Sequence, residues 1–273
     1  MKKFALLGAI LLVIGVLGTI FNWNHLLGET NIKRIDDSVT VEASDLELIE
    51  INIDVANLNL YQIDGDSIQI DYRGRSHRNV KDILTVNNDN DTLYVEVTHR
   101  SRWFNLSFIP FWNKHTTKID IGIPAGFDGI IDTNVDVGKI SVENLNLKQF
   151  NAVVNVGNIE GKRVFVEEGT VEVDVGEINL TDVSSHWDLE TNIGDINLEL
   201  QEWEGRIDAR SNIGELTFRL PSHVEYYSLH LEAELGKVRG VDNPIIGYRS
   251  ATEAGPSLNA FTDIGDIEIH WQR

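Results

Sequence analysis

The chain has no cysteine, one methionine and five prolines in 273 residues. Without thiols there is no disulfide framework, no thiolate zinc site, no cysteine nucleophile and no lipidated cysteine to act as a lipoprotein anchor. Positive charge is scarce as well: 23 Lys and Arg stand against 43 Asp and Glu, a formal net of −20. That charge repels a phosphate backbone, so nucleic acid is excluded as a partner. Beyond the N-terminal segment no stretch has helical period, which leaves strands as the regular element. What remains is 42% hydrophobic and 24% charged, the balance of a chain that buries a core.

Lys2 and Lys3 precede an uncharged run from Phe4 to Phe21. As a helix rising about 1.5 Å per residue, this run would reach roughly 27 Å, close to the thickness of a bilayer core. The two lysines before it, and the lack of charge after it until Glu29, predict a cytoplasmic start and an extracytoplasmic remainder. A cleaved signal peptide would have a shorter apolar region and a small-residue cleavage site, which Val16-Leu17-Gly18 imitates poorly. The expected organisation is a signal-anchor transmembrane helix over 1–28, a linker over 29–44 and one folded domain over 45–273. The protein is then a single-pass cell-membrane protein.

The folded part repeats. Val-Asp-Val-Gly-Lys-Ile-Ser-Val begins at Val135, Val-Asp-Val-Gly-Glu-Ile-Asn-Leu at Val173 and Thr-Asn-Ile-Gly-Asp-Ile-Asn-Leu at Thr191. The repeated glycines are Gly138, Gly157, Gly176, Gly194, Gly214, Gly236 and Gly265, at spacings of 19, 19, 18, 20, 22 and 29. Apolar residues alternate on both sides, as in Val171, Val173, Val175 and then Ile178, Leu180, which is the period of a strand. Across each glycine the parity breaks: Val137 to Ile140 and Val175 to Ile178 step by three, as do the other copies. With these side chains all pointing inward, the chain must turn or bulge at the glycine, and glycine supplies the φ such a corner needs. A corner every 18–20 residues predicts an all-β fold, a β-solenoid of stacked coils about 4.8 Å apart. Ala56, between Val55 and Leu58, occupies the glycine slot of an eighth, degenerate corner. Between it and Gly138 the period is interrupted by strand-like stretches at 66–73 and 92–98, with Asn87-Asn88-Asp89-Asn90-Asp91 predicting a hairpin turn.

The signal anchor, Ile119-Asp120-Ile121-Gly122-Ile123-Pro124, the run of glycine corners and a second Leu220-Pro221 together resemble the DUF4097 family, also called adhesin or toastrack domains, over residues 45–273. The layout is similar to its LiaG-like, membrane-anchored branch in Gram-positive bacteria, which is associated with cell-envelope stress. The resemblance implies an extracytoplasmic, non-enzymatic β-repeat domain used for interaction or assembly. It brings no catalytic residues and no cofactor.

Several candidate sites follow from the residues themselves. Asp136, Asn155, Asp174, Asn192, Asn212, Glu234 and Asp263 stand two before each corner, so stacking places them outward in one polar row. A calcium strip is one reading of this row, although one oxygen per coil is few for a cation that takes six to eight. Solvated corner residues are the other. The histidines show no metal-ligand spacing, and no Gly-x-Ser-x-Gly or phosphate-cradling loop occurs. A β-helical enzyme acting on polysaccharide therefore ranks third as a function.

The insertion at 99–118 departs most from its surroundings. Arg100, Arg102, Lys114 and Lys118 are its only charges, among Trp103, Phe104, Phe108, Ile109, Phe111 and Trp112. It reads either as a lid on the open end of the solenoid or as a surface for membrane lipid or a membrane-protein partner. The C-terminal coil, with Ile267, Ile269 and Trp271, is expected at the far end, where its free edge would allow edge-to-edge self-association. The function expected is an interaction platform in a cell-envelope stress module. A surface adhesin binding glycan or matrix, with Trp187 and Trp203 contributing, is the alternative.

Overall fold

In the computed structural model, the residues described are 33–76, 83–98, 117–184, 186–224, 226–241, 247–250 and 255–272. All regular structure among them is strand. β1 (Lys33–Glu42), β2 (Leu48–Val55), β3 (Asn57–Ile63), β4 (Ser67–Ser76), β5 (Leu84–Asp89), β6 (Thr92–Val97) and β7 (Lys118–Pro124) precede the uninterrupted β8 (Ile130–Val175), which winds through more than two coils. Then follow β9 (Ile178–Thr181), β10 (Trp187–Ile193), β11 (Ile196–Glu199), β12 (Arg206–Ile213), β13 (Leu216–Pro221), β14 (Ser228–Leu235), β15 (Val238–Arg239), β16 (Gly247–Ser250), β17 (Ser257–Ile264) and β18 (Ile267–Gln272). The anchor expected over 1–28 lies outside the described residues.

Alternating aliphatic residues make short strands, and each glycine divides a coil into a strand before the corner and a strand after it. Strands before the corner stack in parallel, as β6, β2, β8, β10, β12, β17 and β14. Strands after it do the same, as β7, β3, β8, β9, β11, β13, β18 and β15. The two parallel sheets meet along the glycine row. Antiparallel strands finish the stack at both ends: the β5–β6 hairpin and the β1–β4–β7 ribbon at one, β16 against β14 at the other.

Inward residues form columns of complementary size. One runs Leu58, Ile140, Ile159, Ile178, Ile196, Leu216, Ile267, Val238, each fully buried. Another places Gly169 between Phe150 and Trp187. A Cβ on Gly169 would lie 2.3 Å from the Trp187 ring, so the missing side chain is the space the indole fills. Phe150 meets that indole edge-on with ring centroids 6.5 Å apart. In the column nearest the corner, buried Thr191, Ser211 and Thr262 replace valine, and their hydroxyls donate to the carbonyls of Gly194, Gly194 and Gly214 at 3.0, 3.1 and 3.0 Å. Buried hydroxyls are thus satisfied by the corner backbone.

Two expectations need correction. The coils do not stack in chain order: β17 and β18 lie between the β12–β13 coil and the β14–β15 coil. The C-terminal coil is therefore interior to the stack. β17 is paired along both edges and β18 along its β13 edge, whereas β15 covers β18 only at Ile267 and Glu268, so the last coil is not the end coil from which self-association was expected. The second correction concerns the corners. Val135 and Val173 are buried, but Val137 and Val175, next to the glycine, are not. The parity shifts one residue early, so that two consecutive side chains point out before the glycine turns the chain.

Candidate functional site

The corner geometry follows from backbone packed on backbone. A Cβ on Gly157 would lie 1.6 Å from the carbonyl oxygen of Gly138, one on Gly176 1.7 Å from that of Gly157, and one on Gly194 1.6 Å from that of Gly176. Gly265 meets Gly214, and Gly236 meets Gly265, in the order of the stack. Gly157 and Gly176 also adopt φ of +147° and +145°, where an L side chain is strained. All seven predicted glycines are corners, and Ala56 does stand in the eighth place, with its carbonyl 1.8 Å from the Cβ that Gly138 lacks.

This turn exposes the residue before each glycine. Val55, Val137, Val156, Val175, Ile193, Ile213, Ile264 and Leu235, in stacking order, are 45–70% exposed. They make up most of the large hydrophobic side chains classed as exposed among the described residues, so the pattern is a continuous row and not scatter. At about 4.8 Å per coil the row is roughly 34 Å long.

Both shoulders of the row are polar. On one side is the polar row read from the sequence, where Asn155 Nδ2 donates to Asp136 Oδ1 at 3.0 Å, Asn192 to Asp174 at 2.7 Å and Asn212 to Asn192 at 3.0 Å. The amides thus bind the stack's own oxygens. Among the described residues no cluster of three His, Asp or Glu side chains is arranged around a metal position. On the other side, short residues alternate with long ones. Asn57 Oδ1 accepts from the Lys139 amide, Asn158 from Glu177, Asp195 from Glu215 and Asp266 from Lys237, at 2.8–3.2 Å. Every second coil caps the next, a two-coil period in stacking order that the chain order breaks at Glu215 and Lys237, which follow successive glycines. The shoulders carry Asp54, Asp136, Asp174, Asp263 and Glu234 on one side and Glu177, Asp195, Glu215 and Asp266 on the other. Lys139 and Lys237 stand near the two ends.

Arg100, Arg102, Trp103, Phe104, Phe108, Phe111, Trp112 and Lys114 lie outside the described residues. The ends of their segment are placed: Val97 pairs with Ile53, and the Asn57 amide donates to the Thr117 carbonyl at 2.9 Å. Thr98 and Thr117 thus stand on either side of the corner position of this coil. Lys118 is exposed and pairs with Asn57 and Arg73. Trp187 and Trp203 are buried, so neither is available to a glycan. Trp203 stacks on Tyr227 and Tyr227 on Trp271, with centroids 5.7 and 5.1 Å apart.

Elsewhere the titratable groups are structural. Asp120 is buried on β7 and holds Arg73 and Asn59, which raises the Arg73 pKa through hydrogen bonding and charge. Burial pushes the Tyr72 phenol up, and its buried hydroxyl has no hydrogen-bond partner among the described residues. Two open grooves of about 620 and 390 Å³ adjoin Phe165, which is 48% exposed. Glu47, Asp128, Glu167 and Lys148 line the larger, and Asp182, Glu202 and His186 the smaller.

The stacked coils and the exposed row define an all-β repeat protein that presents a long, regular surface. Residues 46–244 match the family model described as Toastrack DUF4097, and the chain belongs to that family. Among solved structures it is similar to a "putative cell adhesion protein" of Clostridium sporogenes, at 14% identity and a TM-score of 0.43, covering 88% of this chain and 100% of that one. A "putative adhesin" of Bacteroides fragilis gives 14% and 0.43, with 87% and 98% covered. A "putative lipid binding protein" of Parabacteroides distasonis gives 12% and 0.27, with 87% and 97% covered. No curated protein matches the sequence.

Proposed function

We propose that this protein is a membrane-tethered, extracytoplasmic interaction rod of the cell envelope, without catalytic activity, and that its corner row is the working surface. The observation that carries this reading is the row itself: eight half-exposed aliphatic residues in register along one corner. A solvated corner has no need of an apolar residue in every coil, whereas a binding surface gains from a continuous one. The anchor expected over 1–28 supports the tether, and the LiaG-like layout supports a place in an envelope-stress module. The test replaces the chromosomal copy with a Val175→Thr, Ile193→Thr, Ile213→Thr variant, which keeps β-branching at every site. The expected outcome is normal protein level with the envelope-stress sensitivity of a deletion strain; wild-type resistance would defeat the reading.

A second reading, adhesion to glycan, draws on Phe165, an exposed aromatic bordered by carboxylate-lined grooves. Loss of glycan-array binding in Phe165→Ala, with the threonine variant unaffected, would favour it over the first.

A further inference from the structure

The shape and charge of the corner row restrict what can lie on it. We infer that its occupant is a basic amphipathic helix of a partner protein, with an apolar stripe bordered by Lys and Arg. This inference rests on the row being the working surface.

Spacing is the first argument. Apolar rungs recur about every 4.8 Å along the row. A helix presents its stripe once per turn of about 5.4 Å, so it drifts by only about 0.6 Å per rung and keeps three or four rungs within reach. A strand presents one face every two residues, about 6.7 Å, and is out of step after one or two rungs.

Charge is the second. The shoulders carry nine carboxylates; Lys139 and Lys237 stand near the ends, and Arg239 pairs with Asp266. A second copy laid on the row would bring like shoulders together, and an anionic bilayer would meet the same repulsion. Lysines and arginines flanking a helical stripe meet opposite charge on both sides instead. The chain's own basic insertion has the right charge, but Pro110 stands at its centre and would interrupt a helix of the length the row accommodates.

The test uses the full-length chain in phosphatidylcholine nanodiscs and a fluorescent 21-residue peptide of leucine and lysine with leucine at helical spacing. Anisotropy should show saturable binding. Ile193→Thr with Ile213→Thr should weaken it at least tenfold while circular dichroism stays unchanged, and Asp174→Asn with Asp263→Asn should weaken it and flatten its salt dependence. A peptide of the same composition with strictly alternating leucine and lysine should bind at least tenfold more weakly. Absence of binding, equal binding of the alternating peptide, or indifference to the threonines would overturn the inference. So would a tenfold gain in affinity on deleting 100–115, which would make the insertion the occupant, or self-association lost in the threonine variant, which would make it a second copy. If the peptide fails while the threonine variant still sensitises cells, only the helix is wrong. If the variant cells resist stress normally, the working surface itself is wrong.

Discussion

Gly176→Ala tests the corner geometry most directly. The new methyl would start 1.7 Å from the Gly157 carbonyl oxygen, at a φ of +145°. Ordinary contact needs about twice that separation, so adjacent coils must part by more than 1 Å. Two bonds cross this gap: Ile159 N–H to Glu177 O at 2.9 Å and Glu177 N–H to Asn158 Oδ1 at 3.1 Å. Losing both costs about 2 kcal/mol and the backbone strain about 1–2 kcal/mol, so the expected destabilisation is about 3–4 kcal/mol. Ala56→Gly is the internal control. Ala56 lacks the left-handed φ, and its neighbouring coil, β6–β7, carries the 99–116 insertion in place of a glycine turn, so this change should cost no more than about 1 kcal/mol. Urea unfolding followed by fluorescence of the buried Trp187 and Trp203 measures both. A cost below about 1 kcal/mol for Gly176→Ala, or similar costs for the two variants, would refute the claim that close backbone approach selects glycine.

Gly169→Ala forces a methyl into the Trp187 ring and should cost about 3 kcal/mol by the same assay, with Trp187→Leu in the same chain recovering part of it. Asp195→Ala leaves the Glu215 amide without its acceptor and should cost about 1 kcal/mol, while Asp195→Asn, which keeps the oxygen, should restore most of it. The raised Tyr72 pKa means that the folded state holds this proton more tightly than the unfolded chain, whose phenol titrates near 10. Stability is therefore complete below about pH 10 and falls as pH climbs through the folded pKa; Tyr72→Phe should flatten that alkaline limb in a pH series of melts. For the tether, the intact chain should resist carbonate extraction from membranes, and deletion of 1–28 should release it.

Much of the fold is legible because glycine and strand alternation are local signals. The seven corners, the Ala56 slot and the β5–β6 hairpin at Asn90, with its φ of 57°, can all be read from neighbouring residues. The exposure of the corner row cannot. Val171, Val173 and Val175 look alike in sequence, and a parity shift one residue before Gly176 leaves the same three-residue step as a shift at the glycine itself. Nor is the order of the last coils legible. Leu216, Val238 and Ile267 are interchangeable as stacking partners, and only the longer spacings of 22 and 29 hint that something differs. The alternating caps, Asn57 to Lys139 and Asp195 to Glu215, follow the stacking order, so in the sequence their alternation is broken where Glu215 and Lys237 follow successive glycines.

The displaced final coil acts as a keystone. Synthesis delivers β14 before β17, yet the described neighbours of β14 in the sheet are β17 and β16, both made later. The distal end of the rod cannot close progressively as the polypeptide is made; it must wait until the last residues arrive and then admit them between two coils already made. A product truncated before Ser257 would leave β12 and β14 with their edges open, marking unfinished molecules for proteolysis.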